Sequence, residues 1–237
     1  MIRNFFAIIW VVLVTIVCSS LSMALPDSHN IIMRKWSQMI LKFLGVKLRV
    51  YGCENVVNRG SKIVISNHES ALDIPILMAA LPLPIRFMAK KELFRIPLFG
   101  WTINLARHIP VDRQNPRKSY SGINRISKEL IRKGYSIAIS PEGTRSYDGK
   151  IAPFKKGAFR LAEIHNLPIL PVLILGSRHC VPKNSISIIP GIVEVHIGKE
   201  VRLSDYPTRN ACIADVRNKM IVQKEQYELK RKQSSLD

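Results

Sequence analysis

Acidic residues are scarce in this 237-residue chain: 17 Asp and Glu stand against 36 Lys and Arg, for a net charge of +19. Such an excess calls for a negative partner, whether nucleic acid, anionic lipid or a phosphorylated substrate. Nucleic acid fits poorly, because the basic residues are spread out and no helix-turn-helix, RNP or zinc-finger pattern is present. A CxxC pair is also missing. The four cysteines, Cys18, Cys53, Cys180 and Cys212, lie far apart, which argues against a zinc site or a disulfide framework and suits a reducing compartment. There is no internal repeat and no low-complexity tract. Charge is absent altogether between Asn4 and Pro26.

That uncharged stretch is long and apolar enough to cross a bilayer. Ser22-Met23-Ala24 also has the small-x-small form of a signal-peptide cleavage site. Arg34, Lys35, Lys42, Lys47 and Arg49 follow the stretch, against Arg3 before it, which predicts that the downstream region stays cytoplasmic. In the next segment Ile32, Trp36, Met39, Ile40, Phe43 and Leu44 share one helical face, with Arg34, Lys35, Gln38 and Lys42 on the other. A basic amphipathic helix with an interfacial Trp is expected to lie on anionic lipid, although a helix packed on the domain's own core shows the same pattern. The two segments read either as a span followed by a surface helix or as a shallow hairpin in one leaflet.

After Gly45 strands and helices alternate. Short strands are expected at "KLRVYG", "SKIVIS", "IRFMAK", "RHIPVD", "YSIAIS" and "LPILPVLILG", with "SISIIP" and "IVEVHIG" as a late hairpin. Helices are expected through "ALDIPILMAAL", in the stretch after Pro97, from Pro116 to Gly134, through "KKGAFRLAEIHN" and from Thr208 onward. The reading is an α/β fold, a mixed central sheet covered by helices. A membrane-associated helical segment occupies residues 1–45 and the α/β domain 46–237.

Three stretches carry chemistry. "ISNHESALDIP" places His68 just past a buried strand, where open sheets present reactive groups. Histidine has the pKa for proton abstraction near neutrality, and Asp73 is close enough to accept from one ring nitrogen if His68 lies in the loop before the helix. A lone histidine is more often structural, so position is what lifts His68 above the other five. The stretch "SPEGTRS" also follows a strand. Gly143 and Thr144 expose backbone N–H groups there, Arg145 offers a fork for phosphate oxygens, and Glu142 either binds a hydroxyl or holds Arg145. An ordinary turn with a salt bridge fits the same residues. Arg113 ends a third strand-like run, and Lys155 and Lys156 open a helix, where an anion is favoured.

With these residues in order, the sequence resembles the glycerolipid acyltransferases, most of all the bacterial 1-acylglycerol-3-phosphate acyltransferases. Asn67 to Asp73 match an NHxxxxD block, "KKELFRIPLFG" through Arg113 a second, Glu142-Gly143-Thr144-Arg145 with "PFKKGA" a third, and "LPILPVLI" around Pro171 a fourth. The resemblance covers about Lys47 to Gly198, and it is the order and spacing of all four blocks that make it specific. It implies that His68 is the general base and Asp73 its orienting partner. Arg113, Arg145 and Lys155 would hold the phosphate, Glu142, Gly143 and Thr144 would shape the glycerol site, and Pro171 would line the acyl side. The implied reaction acylates the sn-2 hydroxyl of lysophosphatidic acid from acyl-CoA or acyl carrier protein. Another lyso-lipid or glycerol 3-phosphate is the alternative acceptor. No metal or other cofactor is implied. The implied place is a membrane, the bacterial inner membrane, with the catalytic domain on its cytoplasmic, anionic face. Two positions depart from the family pattern: Ser140 stands where an aromatic or aliphatic residue usually precedes PEGTR, and Arg107 where a glycine is common.

Overall fold

The computed structural model describes residues 2–56, 60–112, 114–183, 185 and 187–233. Two helices lead, α1 (Ile2–Ala24) and α2 (His29–Phe43), followed by β1 (Val46–Tyr51), β2 (Ile63–Ser66), α3 (Asp73–Ala80) and β3 (Ile85–Lys90). Next come α4 (Phe99–Leu105), β4 (Ile109–Val111), α5 (Pro116–Arg132), β5 (Ser136–Ile139) and α6 (Gly157–Ile164). The chain continues through β6 (Ile169–Leu175), the short α7 (Ser177–Cys180), β7 (Gly191–Ile197) and α8 (Arg209–Gln233).

The seven strands form one sheet in the order β1-β7-β6-β2-β5-β3-β4. From β6 to β4 all neighbours are parallel. β7 runs antiparallel to β6 and parallel to β1. Parallel strands are buried on both faces, which is why β2 and β6 read as β-branched and aliphatic runs, with Ser66 ending β2 and Pro171 inside β6. Their side chains divide alternately between two cores. Val64, Leu170, Val172 and Ile174 join the face covered by α2 and α3. Ile63, Ile65, Ile169, Leu173 and Leu175 join the face covered by α6 and α8, to which α8 contributes Cys212, Val216 and Met220 at helical spacing.

The expected late hairpin is not formed. Residues 187–190 are not in a strand, and β7 pairs with β6 and β1 instead. Pro190 has no N–H to give a ladder, and the Ile189 N–H is spent on the Cys180 carbonyl at 2.9 Å. The amphipathic face of α2 is shared rather than turned outward as a whole. Ile40 and Leu44 are buried in the domain core, while Met39 and Phe43 remain exposed. α2 also packs along α1: Trp36 Nε1 donates to Thr15 Oγ1 at 3.0 Å, and the rings of Trp10 and Phe43 stack at 3.8 Å. At the far end Ser22 meets His29 Nδ1.

Candidate active site

Because β2, β5 and β6 are parallel neighbours, their C-terminal ends open on one edge of the sheet, the place where open α/β sheets seat ligands. The loop after β2 carries His68, and α3 opens with Asp73. His68 Nδ1 lies 2.8 Å from Asp73 Oδ2. An ionised carboxylate only accepts, so the proton sits on Nδ1 and leaves Nε2 as a base. The same Oδ2 accepts from the backbone N–H groups of Glu69 at 2.7 Å and Ser70 at 2.9 Å. Oδ1 accepts from Ser177 Oγ at 2.7 Å. Four donors therefore satisfy a carboxylate that is only 2% exposed, as a buried charge requires.

The His68 loop is tied on every side. Asn67 bridges to β6, donating to the Ile174 carbonyl and accepting from its N–H, both at 2.8 Å. Glu142 Oε1 accepts from the His68 N–H at 2.9 Å, and Oε2 accepts from the Ala152 N–H at 2.9 Å. The Ser146 N–H donates to the His68 carbonyl at 2.7 Å, and Ser66 and Ser140 face each other at 3.4 Å. His68 itself is half-buried, where Asn67 and Glu69 on either side of it are buried.

Glu142 ties the His68 loop to the segment after β5. Both its oxygens are occupied by backbone amides, and it is buried. Burial pushes its carboxyl above the usual range, against the opposing pull of the Ala152 and His68 amides. Gly143 takes a left-handed φ of 77°, and the Lys155 side chain lies so close that a Cβ there would come within 2.6 Å of its Nζ. Thr144 is exposed and Arg145 half-exposed. Among the described residues neither side chain is engaged in a hydrogen bond, and Lys155, whose Nζ lies beside Gly143, is exposed. Lys183 reaches the same loop, donating to the Arg145 carbonyl at 2.6 Å.

Arg113 lies outside the described residues. Its neighbour Asp112 is held by Lys91 Nζ at 2.6 Å. Pro171 is not among the site's loops. It sits inside β6 opposite Ile65, with Gly198 against its ring and its carbonyl accepting from the Gly198 N–H at 2.8 Å. Arg107, where a glycine was expected, has a left-handed φ of 57°, so an arginine occupies the backbone conformation that a glycine adopts freely. Among the described residues no three His, Cys, Asp or Glu side chains gather as metal ligands do.

Three residues escaped the reading of the sequence: Ser177, Glu69 as an anchor, and Lys224, whose Nζ meets Glu69. Ser177 had a signal. It follows Gly176 at the end of an apolar strand, and that glycine has a φ of 91° with the Ile192 carbonyl 2.7 Å from where a Cβ would sit. Lys224 had none, since it is one of many lysines on a charged helix.

Residues 47–175 match the protein family described as Acyltransferase. The chain is 35% identical over 175 residues to a chloroplast 1-acyl-sn-glycerol-3-phosphate acyltransferase of Brassica napus, covering 73% of this chain and 50% of that protein. It is 34% identical over 169 residues to a 1-acyl-sn-glycerol-3-phosphate acyltransferase of Cocos nucifera, covering 71% and 54%. The chain thus spans about half the length of these relatives. The crystal structure of the 1-acyl-sn-glycerophosphate acyltransferase from Thermotoga maritima superposes with a TM-score of 0.78 at 25% identity, over 96% of this chain and 97% of that one.

Proposed function

Since the chain belongs to the acyltransferase family, we propose that it transfers an acyl group from a thioester donor to the sn-2 hydroxyl of lysophosphatidic acid, forming phosphatidic acid. The observation that carries the reading is the 2.8 Å contact between His68 and an Asp73 fixed by three further donors. His68 Nε2 takes the hydroxyl proton as the oxygen attacks the thioester carbonyl. Asp73 holds the tautomer and stabilises the imidazolium, which then protonates the leaving thiolate. Base assistance of this kind is worth on the order of a hundredfold or more in rate. Arg145 and Lys155 bind the acceptor's phosphate, with Arg113 as a third cation. The donor is acyl-CoA or acyl carrier protein, whose acidic surfaces suit the +19 charge.

The two N-terminal helices support a membrane location. α1 is apolar over Asn4–Ala24, and Phe5, Phe6, Val12, Leu13 and Val17 are exposed. A span along the bilayer normal would draw α2 in beside it, with the exposed Arg34, Lys35 and Lys42, and charges at the hydrocarbon centre are costly. The pair lies in one leaflet instead, apolar side down, and the domain sits on the cytoplasmic face of the inner membrane with both substrates in reach.

The test is thiol release from an acyl-CoA by membranes carrying the protein, with and without lysophosphatidic acid, for wild type and His68→Ala. Release that needs the lyso-lipid and vanishes in the variant is expected. Release that survives His68→Ala would reject the base.

A further inference from the structure

Beside the His68 loop is a second carboxylate that the proton transfer does not use. Glu69 is 4% exposed, and its Oε1 receives Asn67 Nδ2 at 3.1 Å and Lys224 Nζ. Lys224 is itself 7% exposed and comes from α8, 155 residues along the chain. Its other carboxylate, Glu228, is 3.8 Å away and more than half exposed. Buried ion pairs of this kind rarely add much net stability over an apolar pair, so a stability role alone explains Lys224 poorly.

The position of Glu69 supplies a reason. Its backbone N–H is one of the donors on Asp73 Oδ2, next to His68 Nδ1 on the same oxygen. The residue before it is His68 itself. Pulling the Glu69 side chain toward α8 therefore sets where its amide points and where Asp73 and the imidazole meet. The other ties of this loop come from β6, the segment after β5 and Val181, whose carbonyl accepts from Ser70 Oγ at 2.8 Å. Lys224 is the tie from the helix that covers the opposite core, anchored there by Cys212, Val216 and Met220.

We infer that Lys224, through its buried pair with Glu69, is a positioning residue for the His68–Asp73 dyad, so that the C-terminal helix is part of the catalytic apparatus. The inference rests on the reading of His68 as base. A geometric error in a dyad appears in turnover more than in substrate binding.

The test uses the full-length protein, palmitoyl-CoA and lysophosphatidic acid, with kcat, both KM values and the thermal midpoint measured for each variant. Lys224→Met is expected to lower kcat by about tenfold or more while both KM values stay within about twofold, and Lys224→Arg keeps most of the activity. The double variant Glu69→Gln with Lys224→Met removes the stranded carboxylate. It is expected to recover the thermal midpoint but not kcat, and it is the protein to assay if Lys224→Met alone fails to fold. Recovery of kcat together with stability in the double variant, or undiminished kcat in Lys224→Met, would overturn the inference. His68→Ala in the same assay separates the two readings: if it keeps wild-type activity, the base assignment falls and this inference with it; if it is inactive, the Lys224 variants decide alone.

Discussion

Ser177 donates to Asp73 Oδ1 at 2.7 Å, joining the start of α7, just past β6, to the start of α3 across 104 residues. The bond occupies the carboxylate oxygen that His68 leaves free, so the carboxylate cannot rotate without losing a partner. Hydrogen bonds to charged groups are worth about 1.5–3 kcal/mol. Ser177→Ala is therefore expected to cut kcat by roughly tenfold with little change in KM, and Asp73→Asn by about a hundredfold or more. Steady-state kinetics on both variants checks this, and equal effects on kcat and KM would point to a binding role instead.

Glu142 offers a different test. Glutamine in its place presents one oxygen and one NH2 group to two N–H donors, so either the His68 or the Ala152 amide loses its acceptor. The expected cost is about 1–3 kcal/mol of stability, with kcat lowered because the His68 loop is released. Denaturant unfolding and kinetics on Glu142→Gln measure the two. A direct substrate contact would instead raise KM and leave stability alone.

Arg107 has its φ at 57°, and a side chain in this region costs about 1–2 kcal/mol unless it is glycine, asparagine or aspartate. Arg107→Asn is expected to match or exceed wild-type stability. Arg107→Val is expected to lose about that amount, since β-branching makes positive φ worse. The lost contact with Glu129 at 3.1 Å is exposed and contributes little to either result. Thermal midpoints of the two variants settle the order.

Acid should loosen the seat of the N-terminal helices. His29 on α2 and His108 before β4 lie with their rings 6.4 Å apart beside the buried Arg86. Burial first, then Arg86, lowers His29 to about 4 and His108 to about 3, with His29 a further cause for His108. His108 Nδ1 accepts from the Phe87 N–H at 2.9 Å, which fits a neutral ring. Because the folded values lie below the ordinary 6.5, the unfolded chain binds more protons between them. Stability is thus complete above about pH 6.5 and falls as pH drops toward 4, by about 1.4 kcal/mol per pH unit for each group. Urea unfolding from pH 7.5 to 5 should show the slope, and His29→Gln should reduce it by about half, leaving the share of His108.

Much of this was legible in the sequence because it is local or periodic. The buried strands β2 and β6 announced themselves as apolar runs, and helix α5 by Pro116 at its start and Gly134 just past its end. His68 and Asp73 stood out because they lie five residues apart in one short stretch between a strand end and a helix. The alternation of strands and helices predicted a mixed sheet. The late hairpin is absent because adjacency along the chain does not make two strand-like runs partners, and β7 pairs with β6 and β1. Register between distant strands is a property of packing, which spacing along the chain does not encode.

What the sequence by itself determined is therefore the apolar lead, the α/β alternation and the pair of residues proposed for proton transfer. The tertiary structure alone decided which groups hold that pair. Ser177, Glu142 and Lys224 reach the site from α7, the loop after β5 and α8, and the local sequence of none of them names the group it holds. Their roles exist only once β2, β5 and β6 lie side by side and α8 closes over the sheet, because a hydrogen bond depends on distance in space and residues far apart in the chain carry no mark of it.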